Sequence, residues 1–306
     1  HQRAMTAPPE SGPVSVGVDL GGTGTRIVVL DADGTVRRAT SRPTSAGIPP
    51  RQAVAELADS IAATASGLPL RAVGIGASGP VDRLGLIRNP HTLPAYSDIP
   101  IADILSEHLG VGCVIDNDAV TAAIAEHALG AGRQSDALLV VTLGTGVGVA
   151  MVCRGRPVRA ADGSHPEAGH LAVDGPPAPC YCGLPTCWEQ LASRTTLDQL
   201  TSHRTAEVAS NARAGDAAAS AVFEAYGQRV GAGLGTLLTL LKPDRVVVGG
   251  GAAQYLDLTG SGIRHSLHRT PGFTSAPELR AAELGDLAGA VGAALLATSP
   301  RLPTCA

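Results

Sequence analysis

Residues 14–30 read VSVGVDLGGTGTRIVVL. Val14–Val18 is a short apolar strand, Asp19-Leu20-Gly21-Gly22-Thr23-Gly24-Thr25 a glycine-rich turn, and Arg26–Leu30 a second apolar strand. Asp33-Gly34 is a hairpin signal, so a third strand is predicted over about residues 35–40. Strand, glycine turn, strand, hairpin, strand is an antiparallel ribbon. A dinucleotide-binding unit needs a helix after the glycines and a third glycine where Ile27 stands, so that reading fails twice.

The same pattern returns downstream, where Ala137–Leu143 and Val147–Val152 flank Gly144-Thr145-Gly146. Two such ribbons suggest an internal duplication, each half offering backbone N–H groups to an anion. Between them, Val54, Leu57, Ile61 and Ala65 predict a helix over Pro49–Ser66 that stops at Gly67. A strand over Leu70–Gly76 follows, then a helix over Ile101–Leu109 closed by Gly110. Val111–Ile115 is a strand running into Asp116-Asn117-Asp118, ahead of a helix over Ala119–Leu129. Asn117 and Asp118 thus stand at a strand end and helix start, where capping is the usual task. Asp216–Leu241 reads as one or two helices, with glycines at 227, 231, 233 and 235 that admit a close neighbour. Arg245–Val248 is a strand ending in Gly249-Gly250-Gly251 before a helix near Gln254–Leu267, and a last helix covers about residues 287–296.

At 306 residues the chain suits two lobes, since domains run to about 100–200 residues. With 44% hydrophobic and 16% charged residues and a net charge of -4, neither a disordered chain nor a basic nucleic-acid surface is indicated. The longest apolar stretch, Ala137–Val152, is broken by Gly144, Gly146 and Gly148, which argues for strands and against a membrane span. His1–Ala4 resembles a cloning scar and Thr6–Pro13 is polar and Pro-rich, so residues 1–13 are predicted disordered, with no signal peptide. A cytoplasmic protein is the simplest expectation. Lys242 is the sole lysine and precedes Pro243, which excludes a Walker A loop. Nucleotide phosphates would have to be held by backbone amides, hydroxyls and magnesium.

His170, Cys180, Cys182 and Cys187 place a histidine and three of the six cysteines in one short segment, with Glu167 before and Glu189 after. Four such ligands suit a closed, structural tetrahedral zinc site. Disulfides are the weaker account, because a Cys-x-Cys pair bridges itself poorly and nothing marks the chain as secreted. Zinc would hold two acids and an imidazole on a rigid platform able to hydrogen-bond a polyol. Tyr181 and Trp188 flank the ligands, where packing over the knot is expected ahead of substrate stacking. A lone glycine turn is usually only a turn, but glycines also let backbone N–H groups face an anion, or a flat adenine lie on Gly249–Gly251.

The ordered set Asp19-Leu20-Gly21-Gly22-Thr23, Gly74-Ile75-Gly76, Gly79-Pro80-Val81-Asp82, Asn117-Asp118-Ala119, Leu143-Gly144-Thr145-Gly146-Val147-Gly148, Glu167-x-Gly169-His170 and the Cys180 to Cys187 cluster with Glu189 resembles the ROK family of sugar kinases. That family belongs to the actin, hexokinase and Hsp70 ATPase superfamily. The resemblance implies an α/β, two-lobed, actin-like (ribonuclease H-like) fold with an inserted zinc-binding segment over 165–189. It implies a small lobe of residues 14–118 plus 287–306, a large lobe of 119–286, and nucleotide between them. The activity implied is transfer of the ATP γ-phosphoryl group to a sugar hydroxyl, with ATP, Mg2+ and structural Zn2+ as cofactors and a homodimer as the assembly. Asp118 matches the family's catalytic base, and Asn117 its neighbour on the sugar. Glu167, His170 and Glu189 match contacts to the far side of the ring, with Ser78, Gly79, Asn89 and His91 on the loops facing it. Asp19 resembles the residue that organises magnesium. Gly21, Gly22, Thr23, Thr25, Gly144, Thr145 and Gly146 resemble the phosphate cradle, and Gly249, Gly250 and Gly251 the adenosine pocket.

The chain departs from the pattern at Ser78, Val120, Pro166, Ala168 and Tyr181, none of which removes a catalytic group. The acceptor therefore stays open among glucose, an amino-hexose such as glucosamine, an N-acetylated hexosamine or kanosamine, and a sugar-like C7 cyclitol, with the 6-hydroxyl the expected target. A sugar-responsive regulator of the same family would need a helix-turn-helix ahead of Val14, for which Thr6–Pro13 is too short. An actin-like or chaperone ATPase would leave Asn117, Asp118, Glu167 and Glu189 without a purpose.

Overall fold

The computed structural model describes residues 12–267 and 277–299. All but the last two residues of the segment expected to be disordered, together with His268 and Cys305, lie outside these. Strands β1 (Val14–Leu20) and β2 (Gly24–Leu30) pair antiparallel with Asp19 opposite Arg26, and β3 (Val36–Pro43) extends the ribbon. β4 (Leu70–Ala77) runs parallel to β1, and β5 (Gly112–Asn117) parallel to β4, giving the order β3-β2-β1-β4-β5. Helix α1 (Pro50–Thr64) buries the predicted Val54, Leu57 and Ile61 face. Helix α2 (Ile101–Leu109) ends at Gly110, whose φ of 68° is the left-handed conformation that favours glycine at a helix end.

The second sheet repeats this plan. β6 (Ala137–Leu143), β7 (Val147–Cys153) and β8 (Arg156–Pro157) are antiparallel, β9 (Arg245–Gly249) runs parallel to β6, and β10 (Glu278–Ala281) parallel to β9. Its order is β10-β9-β6-β7-β8. Laying β6 to β10 on β1 to β5 gives the same neighbours in the same directions, so the duplication suggested by two glycine turns is written in the topology.

The chain divides into two compact units, His1–Thr121 with Gly289–Ala306, and Ala122–Ala288. Helix α3 (Asp118–Leu129) carries the chain from the first to the second. In the first unit the last helix, α9 (Ala288–Thr298), lies on the sheet at backbone contact. A Cβ added to Gly17 would fall 1.7 Å from the Ala290 carbonyl oxygen, and one on Gly74 1.8 Å from that of Ala293. Only a residue with no side chain permits such packing.

In the second unit three short helices follow the cysteine segment: α4 (Trp188–Ala192), α5 (Arg194–Leu200) and α6 (Thr205–Arg213). Helix α7 (Ala217–Leu241) is one continuous helix, capped by the Asp216 carboxylate on the Ala219 N–H. Its glycines admit a neighbour as expected. A Cβ on Gly227 would meet the Thr259 carbonyl of α8 (Leu256–Leu267) at 2.2 Å, and one on Gly233 the ring of Trp188 at 2.2 Å. Among the described residues no helix is long and apolar enough to cross a membrane.

Candidate active site

In the first unit the site begins where β1 ends. The Gly21–Gly24 turn is closed by the Gly21 N–H on the Gly24 carbonyl at 3.1 Å. Thr25 is buried, its hydroxyl 2.9 Å from that of Thr44, which in turn donates to the Gly21 carbonyl at 2.6 Å. Thr25 therefore braces the turn from behind, whereas Thr23 is exposed on it. Gly22 rests against Thr92, where a Cβ would fall 2.4 Å from the methyl group, so the loop carrying Asn89 lies beside the turn. Asp19 sits 3.7 Å from Arg26 and directly over Gly289.

The neighbouring strand ends of β4 and β5 bring most of the expected sugar-side residues together. Ser78 donates its N–H to Leu20 and accepts Asn89 Nδ2 on its carbonyl, both at 3.1 Å. Asn117 Nδ2 donates to the Gly79 carbonyl at 2.9 Å, and its Oδ1 accepts the Ala119 N–H at 2.8 Å. With Asn117 only 4% exposed, its amide locks the strand-to-helix junction on which Asp118 stands. Asp118 is the first residue of α3, and its Oδ1 lies 2.8 Å from the Ala119 N–H. His91 is exposed on the same loop as Asn89.

In the second unit the Gly144–Gly146 turn is joined directly to the cysteine segment. The Val147 N–H donates to Glu189 Oε2 at 3.2 Å, and a Cβ on Gly146 would fall 2.4 Å from the same oxygen. The Glu189 N–H donates to the Gly169 carbonyl, which sets His170 beside it, Nε2 lying 3.9 Å from Glu189 Oε2. Glu167 keeps contact with solvent, yet partial burial and then the charge of Glu189 push its carboxyl above the ordinary range. The turn after β9 closes at the same end of the sheet, with Gly249 paired to Thr142 and the Ala252 N–H donating to the Leu143 carbonyl. Gly250, at φ 76°, packs its backbone on Leu143.

His170, Cys180, Cys182 and Cys187 place one ligand atom each within 4.8 Å of all the others. Cys180 Sγ and Cys187 Sγ stand 3.6 and 3.5 Å from His170 Nδ1, and Cys182 Sγ stands 3.9 Å from Cys187 Sγ. A tetrahedron with zinc–sulfur bonds of about 2.3 Å and zinc–nitrogen bonds of about 2.0–2.1 Å has edges of about 3.5–3.8 Å. The donor set therefore fits zinc, and none of the described cysteines is bridged. With Nδ1 facing the thiols, Nε2 is left for a hydroxyl, here that of Tyr181 at 3.0 Å. Trp188 is fully buried on α7, with Nε1 donating to the Arg229 carbonyl at 3.0 Å, so it anchors the segment by packing.

Sequence reasoning passed over Arg194. Its N–H donates to the Gly144 carbonyl at 2.8 Å and its Nη1 to the Gly251 carbonyl at 2.9 Å, so it touches both glycine turns of this unit. A seven-residue helix has too few turns to show a period, which hid it.

This duplicated fold, with its glycine turns and His/Cys cluster, matches the ROK family over residues 15–299. The chain belongs to the ROK family. It is 30% identical to the glucokinase of Streptomyces coelicolor over 94% of this chain and 98% of that one. The ROK hexokinase of Thermus thermophilus superposes with a TM-score of 0.79 at 34% identity, covering 93% of this chain and 97% of its own. A ROK family glucokinase from Streptomyces griseus, solved in complex with glucose and AMPPNP, superposes at 0.78 with 30% identity, covering 93% and 99%.

Proposed function

We propose that this chain is an ATP-dependent sugar kinase that phosphorylates the 6-hydroxyl of glucose or a related hexose. The observation that carries the reading is the bond from the Val147 N–H to Glu189. It ties the turn offered to a phosphate to the acid offered to a sugar. Relatives that are glucokinases over nearly the whole chain support the same class of acceptor.

Asp118 accepts the proton of the sugar hydroxyl as its oxygen bonds to the γ-phosphorus and the bond to the ADP oxygen breaks, giving hexose 6-phosphate and ADP. Asn117 holds the junction that aims Asp118. Glu167, Glu189 and His170 Nε2 orient the ring hydroxyls, with Ser78, Gly79, Asn89 and His91 on the other loop. Backbone N–H groups of the Gly21–Gly24 and Gly144–Gly146 turns, with Thr23 and Thr145, cradle the phosphates, and the Gly249–Gly251 surface takes the adenosine. Asp19 would hold magnesium, which neutralises phosphate charge. Zinc on His170 Nδ1 and the thiolates of Cys180, Cys182 and Cys187 would supply rigidity and fix the histidine tautomer.

The test is ATP consumption by the purified chain with and without a panel of hexoses, amino-hexoses and cyclitols. Turnover that rises with a hexose supports the kinase, and the best acceptor in the panel fixes the substrate. Sugar-independent turnover contradicts it.

A further inference from the structure

We propose that Arg194 forms the wall on which the purine ring of the donor nucleotide stacks, an inference that rests on the kinase reading above. β6 and β9 run side by side and parallel, and each ends in a glycine turn. Arg194 bridges the two turns through its N–H to Gly144 and its Nη1 to Gly251. A Cβ on Gly251 would meet Arg194 Nη1 at 3.5 Å and its Cγ at 3.6 Å, so the side chain lies along the surface that the glycines leave bare.

The way the guanidinium is held decides what it can bind. Nε and Nη2 both donate to Asp198 Oδ1, at 2.9 and 2.8 Å, so its charge is matched and most of its edge is engaged. A phosphate recruits a guanidinium through free in-plane N–H groups and unmatched charge, and Arg194 has little of either left. What remains is a flat face, and guanidinium planes stack on aromatic rings. The Tyr255 ring already lies 5.4 Å from its Cζ, and the side chain keeps 26% of its surface open. Tyr255 is in turn flanked by Arg213 at 5.9 Å, itself held by Asp257. This stack is braced by ion pairs at both ends. A planar base laid against Gly249–Gly251 would extend it, and the base of the donor is the planar group this reading supplies.

The test compares wild type with Arg194→Lys and Arg194→Gln, using ATP as donor and adenosine and inorganic tripolyphosphate as inhibitors. Loss of a base stack is expected to raise KM for ATP and the inhibition constant of adenosine about tenfold. KM for the hexose and inhibition by tripolyphosphate should stay unchanged. Lysine should not rescue, because it keeps the charge without the plane. Lysine restoring ATP affinity, or tripolyphosphate weakening in step with ATP, would overturn the inference in favour of a phosphate contact. Thermal unfolding gives a second reading, in which adenosine stabilises the full wild-type chain against heat and Arg194→Lys removes that gain. This thermal shift needs no turnover, so it remains decisive even if no hexose is phosphorylated and the kinase reading falls. No adenosine-dependent shift in wild type overturns the stacking role.

Discussion

Asp118 sits where an ordinary aspartate would only cap a helix, and its Oδ1 does lie 2.8 Å from the Ala119 N–H. The capping task is nevertheless shared, because Asn117 Oδ1 accepts from the same N–H at 2.8 Å. Asp118→Asn should therefore unfold at nearly the wild-type temperature while phosphoryl transfer falls about 100- to 10,000-fold. Melting curves beside initial rates check both halves of that expectation. The residue scale is also where sequence reading reached its limit. Position in a motif placed Asp118, Glu189 and His170, but it gave no account of which way a side chain turns. Thr25 occupies a glycine-rich motif and points into the core, and Asn117 is committed to backbone on both ends of its amide.

The His170 to Glu189 segment is an element without regular structure until Trp188, held by two isolated bridges, Ala172 to Cys187 and Ala178 to Thr186. Backbone bonds from Trp188 to Leu171 and from Glu189 to Gly169 already set the two ends side by side, and the four ligand atoms within 4.8 Å of one another offer a place for a metal cross-link between them. Cys182→Ser should lower the thermal midpoint and weaken hexose binding together, and metal analysis of the wild-type chain should find one zinc per chain. Without a metal, burial pushes the Cys187 thiol up to about 12. Zinc binds thiolates, so zinc added to the protein is expected to displace protons, and calorimetric titration in buffers of different ionisation enthalpy should show that release. The other anchor of the segment is Trp188 on α7. Gly233→Ala would drive a methyl into the indole at 2.2 Å and should cost about 1–3 kcal/mol, read as a lower denaturation midpoint. The spacing of the cysteines made this segment legible from the residues alone, whereas α4 and α5, at five and seven residues, are too short to display a helical period, and α6 buries only Thr205, Ala209 and Ala212, which make no apolar stripe.

Across the whole molecule, two five-stranded sheets of one topology account for the paired glycine turns. The repeat could be read from the turns because each is flanked by apolar strands. Its full extent could not, because β8 has two residues and β10 four, too few to alternate visibly. The last helix belongs to the first sheet through contacts that leave no room for a side chain. Gly17→Ala would place a Cβ 1.7 Å from a backbone oxygen of α9, and backbone cannot swing aside as a rotamer can. That variant should lose cooperative unfolding of the first unit, while Gly112→Ala, which meets nothing within 4 Å, should melt like wild type. Differential scanning calorimetry of the pair checks this.

The central claim, that Asp118 deprotonates a sugar hydroxyl attacking ATP, is tested most directly by following ADP and sugar phosphate together in wild type and Asp118→Asn. The expected result is one hexose 6-phosphate per ADP, formed only when sugar is present and nearly abolished in the variant. ADP released without sugar, or a variant as fast as wild type, would contradict it.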